Sequence, residues 1–224
     1  MPKVRGRSLR VLFDAGTIAA RNRELAKEIA AAGYRDLLVV SILKGSFVFA
    51  ADLIRALHDV GMAPEVEFIS LSSYKTAKVS SGKVTLLRDV ESDVADRDVL
   101  IIDDILESGR TLAYAKKLLA KRGARRVGVA VLLHKPGKLA QPFVAEHVGF
   151  VVPDLFVVGY GMDAAHAFRE LPYVGVVEDK PAKKARAGVR GSRVRSWEVR
   201  SRRGAGESRR GSRAPAGYRS RREP

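Results

Sequence analysis

Apolar positions recur along this chain in two alternating rhythms, one with a helical period and one in short strand-length runs. Across residues 17–32, Ile18, Leu25, Ile29 and Ala32 fall on one side of a helix, while Arg21, Arg23, Lys27 and Glu28 take polar positions. Gly33 follows as a C-cap. Residues 37–43, LLVVSIL, read as a strand closed by Lys44-Gly45-Ser46. A second helix then runs towards Gly61, with Phe47, Ala50, Ala51, Ile54 and Leu57 as its apolar side.

Residues 66–71 form the next strand, and SSYKTAKVSSGK after it is polar enough to predict a mobile surface loop that covers a site. Residues 84–87 make a return strand and 92–98 a polar turn. Residues 99–102, VLII, have the length and β-branching of a buried parallel strand and run directly into Asp103 and Asp104. A helix over 109–122 places Leu112, Ala115, Leu118 and Leu119 at helical spacing. After Gly123 comes a strand at 127–133, ending at His134-Lys135-Pro136-Gly137. Short β segments at 150–152 and 156–158 flank Pro153-Asp154, Gly159-Tyr160-Gly161-Met162-Asp163 turns the chain, a short helical piece carries Phe168 and Arg169, and 174–177 closes the body. Strands alternating with helices predict an α/β fold: a mainly parallel, helix-flanked sheet with its site at the carboxyl edge.

Composition changes this picture only at the C-terminus. The 224 residues are 46% hydrophobic, enough for one α/β domain with a sizeable core. The formal charge is +16, but residues 183–224 hold fifteen Lys or Arg against Glu198, Glu207 and Glu223, so that most of the basicity belongs to this stretch. From Lys180 onward apolar periodicity disappears into Arg/Gly/Ser repeats. The expected organisation is therefore a domain over 1–180 and a disordered basic tail over 181–224, with phosphate contact to nucleic acid as one use for the tail. No apolar run is long enough to span a membrane and no secretory signal is visible. The absence of cysteine excludes disulfides and thiolate chemistry and is compatible with the cytoplasm.

Candidate chemistry centres on VLIIDDILESGRTL, residues 99–112. A strand, a tight turn and a helix start offer unpaired backbone N–H groups and a positive dipole end to a phosphate. The adjacent acids suit hydroxyls or a divalent cation. Other motifs fall away. The four histidines are scattered without a zinc pattern, and Gly159-x-Gly161 lacks the third glycine of a dinucleotide fingerprint. Ser72-x-x-Lys75 has none of the partner motifs of a penicillin-binding protein.

VLIIDDILESGRTL is similar to the diphosphosugar-binding signature of the type I phosphoribosyltransferases. ILKGSFVFAADL, SSYK, the HKP after a strand, and PDLFVVGYGMDAAHAFRELPYVGVV resemble the hypoxanthine-guanine branch of that family in the expected order, over roughly residues 9–178. The resemblance implies the type I fold with a small hood. It also implies transfer of a phosphoribosyl group from 5-phosphoribosyl 1-diphosphate (PRPP) to N9 of hypoxanthine or guanine, with Mg²⁺ and assembly as a homodimer or homotetramer.

Carried over by position, Asp103 and Asp104 hold the ribose hydroxyls, and Ser108, Gly109, Arg110 and Thr111 wrap the 5′-phosphate. Lys44 and Gly45 form the pyrophosphate loop, where the family has a non-proline cis peptide before the lysine, and Arg169 is a second pyrophosphate cation. Phe156 stacks on the purine, Val157 offers its backbone, and Lys135 donates to the 6-oxo group. Asp163, with Asp103 and Asp104, binds Mg²⁺, and Ser73 and Tyr74 belong to the closing loop. Glu107 stands where the branch usually has an aspartate, the acid-base partner of purine N7. The rival expectation is a regulatory protein that keeps the fold and binds RNA.

Overall fold

The computed structural model describes residues 3–4, 6–76 and 79–178; the side chains of residues 3–4, 73–76 and 79–83, and all of residues 179–224, lie outside the described residues. The elements in chain order are β1 (Lys3–Val4), β2 (Arg7–Phe13), α1 (Ala15–Ala31), β3 (Leu38–Leu43), α2 (Phe47–Asp59), β4 (Glu65–Thr76), β5 (Val79–Arg88), β6 (Asp98–Leu106), α3 (Arg110–Lys121), β7 (Arg126–His134), β8 (His147–Val151), β9 (Val157–Val158) and β10 (Val174–Glu178). They belong to one compact unit, Met1–Pro181.

Six strands form the central sheet in the order β5-β4-β3-β6-β7-β8. The pairings from β4 through β8 are parallel and only edge strand β5 runs antiparallel. A chain that returns to a parallel neighbour must cross over a face of the sheet, so the helices cover both faces and the strands are buried on both sides. One face, with Leu100, Ile102, Ala130 and Leu132, packs with Leu25 and Ile29 of α1 and Leu53 and Leu57 of α2. The other, with Val99, Ile101, Val129 and Val131, packs with Leu112, Ala115 and Leu119 of α3. A smaller antiparallel sheet, β1-β2-β10-β9, forms the hood.

Several boundaries depart from the sequence expectations for identifiable reasons. α1 begins at Ala15 because the Asp14 side chain caps it, accepting from the Thr17 N–H at 2.7 Å, and Gly33 at φ +65° ends it. In α2 the run FVFAADLI is apolar on nearly every side, so its period did not fix its rotation: Phe49, Leu53 and Ala56 are buried, while Phe47 is 44% exposed and Ala51 faces out. Within the polar stretch at 72–83, residues 72–76 and 79–83 are paired strand rather than loop, with Ser72 opposite Thr85, Ser73 opposite Val84 and Thr76 opposite Val79. Serine, threonine and valine pair readily in a ladder even where the sequence lacks an apolar face. No helix carries Phe168 and Arg169. Ala165, His166 and Phe168 all have positive φ, which breaks helical geometry, and Ala164 and Ala167 form an isolated bridge instead. Strand β2 lies in a segment that the sequence reading left unassigned.

Candidate active site

β6 positions the site. The strand does not stop before its acids but continues to Leu106, placing Asp103 and Asp104 inside it beyond the last β3–β6 pair, Ser41 with Ile102. The Asp104 N–H donates to Asp103 Oδ1 at 3.0 Å. Burial, and then the charge of Asp104, push the Asp103 carboxyl well above the usual carboxylate range; burial also raises Asp104, with Arg169 among the groups that pull it back. Two crowded, buried carboxylates form a site that gains from hydroxyl donors or an added positive charge.

The chain leaves β6 through Glu107 and Ser108, and Gly109 precedes α3 at φ +75°. This left-handed conformation favours glycine, and a Cβ there would also stand a tight 3.2 Å from Cβ of Phe143, which with Leu139 closes over the turn. Ala140 donates its N–H to the Ser108 carbonyl at 3.1 Å, bracing the turn from outside. Gly109 has no side chain with which to cap α3, and the Arg110 N–H donates to Ser108 Oγ at 3.4 Å; a helix start of this kind presents backbone N–H groups to an anion.

On the neighbouring strand, β3 ends at the Leu43–Lys44 peptide, which is cis. Buried Ser46 closes the loop, sharing a hydrogen bond with Ser41 Oγ at 2.7 Å and donating to the Ile42 carbonyl. Lys44 is exposed. Gly45 lies against Asp104, where an added Cβ would fall 1.8 Å from Oδ2. The turn at 159–161 packs onto this loop in the same manner, since a Cβ on Gly161 would meet the Gly45 carbonyl oxygen at 2.2 Å. Arg169 completes this half of the site by donating to the Gly161 carbonyl at 2.6 Å and pairing with Asp163 Oδ1 at 2.6 Å.

The other half lies at the end of β7. Lys135 donates its N–H to the Leu106 carbonyl at 2.9 Å, and its buried ammonium lies 3.8 Å from Glu107 Oε1. Lys138 pairs with Asp154 at 2.7 Å, holding the segment that leads to Phe156. Phe156 precedes β9 and is 64% exposed, whereas Val157 is buried and paired with Val176 of β10.

The structure therefore joins Gly45, Asp104, Gly161, Asp163 and Arg169 into one contact set, and Glu107 with Lys135 into another, both anchored on β6. Asp163 does not join Asp103 and Asp104 in a metal-type cluster. Its carboxylate is committed to Arg169 and to the His166 N–H at 2.8 Å, and the described residues contain no group of three His, Cys, Asp or Glu able to hold a metal. The side chains of Ser73 and Tyr74 lie outside the described residues. Sequence reasoning missed the supporting residues Ser46, Phe143, Tyr160 and Gly161. Only the glycine carried a signal, as half of a glycine pair.

Comparisons with known proteins place this arrangement. The phosphoribosyl transferase domain matches residues 10–165. The hypoxanthine-guanine phosphoribosyltransferase of Bacillus subtilis is 41% identical over 175 residues, covering 77% of this chain and 94% of its own. The chain belongs to the hypoxanthine-guanine phosphoribosyltransferase family. It resembles in structure the hypoxanthine phosphoribosyltransferase of Trypanosoma cruzi solved with the product IMP, at a TM-score of 0.73 and 35% identity over 81% of this chain and all of that one. A bifunctional TilS/HprT protein of Listeria innocua is 42% identical over 170 residues, and there the match spans about a quarter (26%) of a longer protein. The expected type I phosphoribosyltransferase fold is thus the one observed, and the chain is an enzyme of that class.

Proposed function

We propose that this enzyme transfers the phosphoribosyl group of PRPP to N9 of hypoxanthine or guanine, with the residues of the β6 edge in the roles their positions suggest. The observation that carries this reading is the end of β6 and the turn that follows it: the nine residues from Asp103 to Thr111 hold a crowded carboxylate pair, an acid 3.8 Å from a buried lysine, and a glycine turn into a helix start.

The diphosphate is displaced from C1 of the ribose as the purine nitrogen attacks, so positive charge grows on the sugar ring and negative charge on the leaving group. Asp103 and Asp104 hold the ribose hydroxyls beside that developing charge. Ser108, Gly109, Arg110 and Thr111 fix the 5′-phosphate with the N-terminal donors of α3. Lys44, Gly45 and Arg169 receive the diphosphate. On the base, Lys135 donates to the 6-oxo group, Phe156 stacks through its open face, Val157 offers its backbone, and Glu107 accepts the proton at N7. An ammonium at the 6-position favours an oxo over an amino group, which sets adenine apart from hypoxanthine and guanine.

The donor set fits Mg²⁺: two oxygen-bearing acids whose mutual repulsion a cation relieves, a number that this ion commonly takes alongside phosphate oxygens and water. Asp103 and Asp104 would hold it, and Asp163 would join them on leaving Arg169. When bound, Mg²⁺ would neutralise charge on the diphosphate. Ser73 and Tyr74 belong to a segment that closes on the site and keeps water from the activated sugar. No helix among the described residues is long and apolar enough to cross a membrane, which accords with a cytoplasmic enzyme. A homodimer or homotetramer is the working assembly; the basic stretch expected as a tail over 181–224 lies outside the described residues, and its Arg-rich sequence suits weak contact with nucleic-acid phosphates without sequence choice.

Glu107→Gln tests the assignment of the proton acceptor. Turnover falls about 10²-fold or more while the KM for PRPP stays within twofold, because the amide keeps the shape and loses the basicity. Wild-type turnover in this variant would remove Glu107 from the role.

A further inference from the structure

Tyr160 is absent from the chemistry above, yet it is among the most constrained side chains in the molecule. It is 4% exposed and sits at φ +50°, a left-handed conformation uncommon for an aromatic residue and held only where surrounding contacts determine it. Its hydroxyl donates to Asp52 Oδ2 of α2 at 2.5 Å and accepts from Asn22 Nδ2 of α1 at 2.9 Å. Burial and the adjacent Asp52 carboxylate raise the phenol far above its ordinary range, so it remains a donor at any working pH.

The backbone on either side of this pinned ring leads directly to the diphosphate half of the site. The Tyr160 N–H donates to the Leu171 carbonyl at 2.9 Å, and the Gly161 N–H to the Arg169 carbonyl at 3.1 Å. The Arg169 guanidinium returns to the Gly161 carbonyl, and Gly161 rests on Gly45. α2, which carries Asp52, begins directly after the Lys44–Gly45 loop. One phenol hydroxyl therefore ties the element that follows the first cationic loop to the turn that presents the second cation. A cleft of about 420 Å³ opens beside this junction between Ala15, Phe47, Val48, Tyr160, Arg169 and Leu171.

We propose that Tyr160 is a positioning residue for the diphosphate: its hydroxyl, held between Asn22 and Asp52, sets the Gly159–Gly161 turn that seats Gly45 and aims Arg169. This rests on the assignment of Lys44, Gly45 and Arg169 to the diphosphate, and the test separates the two.

Tyr160→Phe keeps the ring and removes the hydroxyl. The measurement is steady-state kinetics in both directions, with KM for PRPP, the purine and pyrophosphate, together with the melting temperature of each variant. Tyr160→Phe raises the KM for PRPP and for pyrophosphate by about fivefold, as expected for a displaced rather than deleted contact, and leaves the purine KM within twofold. Asp52→Asn retains an acceptor oxygen and stays near wild type, whereas Asp52→Leu reproduces Tyr160→Phe. Arg169→Gln serves as the reference: if it leaves the PRPP and pyrophosphate KM unchanged, the diphosphate assignment itself fails. If Arg169→Gln raises both KM values while Tyr160→Phe leaves them unchanged, or shifts the purine KM equally, the positioning role of Tyr160 is overturned and the diphosphate assignment stands. A lowered melting temperature with unaltered KM values would also overturn it, marking the hydroxyl as structural only.

Discussion

Gly45→Ala is the most sharply constrained perturbation in the site. The added methyl carbon would sit 1.8 Å from Asp104 Oδ2 and 2.6 Å from its Cγ, against an ordinary contact of 3.4 Å or more. The shortfall of about 1.6 Å must be met by the Asp104 side chain or by the loop, which Ser46 and the Ile42 carbonyl fix on its other flank. Either Asp104 swings away from the ribose position or the Lys44–Gly45 loop lifts, and both displace a ligand-facing group by about 1 Å or more, a shift that can cost ~100-fold in rate. The stability penalty for overpacking at one such contact is about 1–3 kcal/mol. The assay is initial-rate kinetics with PRPP varied at saturating purine, beside thermal unfolding. A fall of about 100-fold in kcat/KM for PRPP with a folded protein is expected. Wild-type kinetics and an unchanged melting temperature would refute the contact between Gly45 and Asp104.

Other consequences follow from groups around the sheet. Asp98, at the opposite end of β6 from the site, accepts from the Arg125 guanidinium at 2.9 Å and from the Arg35 N–H at 2.7 Å, which hold its carboxyl below the usual range. Its stabilising contribution is present above the ordinary carboxylate pKa and is lost as pH falls through the depressed one; Asp98→Ala costs about 2 kcal/mol, or roughly 4–8 °C by calorimetry, without changing kcat. Burial lowers the pKa of His147, which shares a hydrogen bond with Tyr34 at 3.2 Å. The unfolded chain therefore takes up this proton first as pH falls below about 6.5, so the melting temperature declines from pH 7.5 to 5.5 and the decline is shallower in His147→Gln. Asp103→Asn removes a charge that burial and Asp104 disfavour. The melting temperature rises while the KM for PRPP increases more than tenfold, a stability gain at the expense of function that calorimetry and kinetics on one preparation would check.

Much of the fold was legible because the apolar runs at 37–43, 99–102 and 127–133 are too short for helices and too continuous for half-exposed strands. The chemistry was legible for the same reason: acids, glycine and hydroxyls interrupt those runs where the strands near their ends. What escaped was determined by tertiary pairing. A ladder partner makes a strand of the polar residues 72–76, and positive backbone angles at Ala165, His166 and Phe168 undo a helix that composition allowed. The supporting contacts were beyond reach for another reason. Asn22 and Asp52 lie far from Tyr160 in sequence, and a buried asparagine on a helix looks like any polar position until its partner is known. Likewise Glu107 and Lys135 are 28 positions apart, and only the β6–β7 register brings them to one edge.

The most direct test is product formation in the presence of Mg²⁺ and PRPP with each of hypoxanthine, guanine, xanthine and adenine, resolved by chromatography. Conversion of hypoxanthine and guanine to their nucleoside 5′-monophosphates with release of pyrophosphate, no conversion of adenine, and loss of turnover on chelation are the predicted results. Turnover of none of the four, or preference for adenine, would contradict the assignment of Lys135 and Glu107 to a 6-oxopurine.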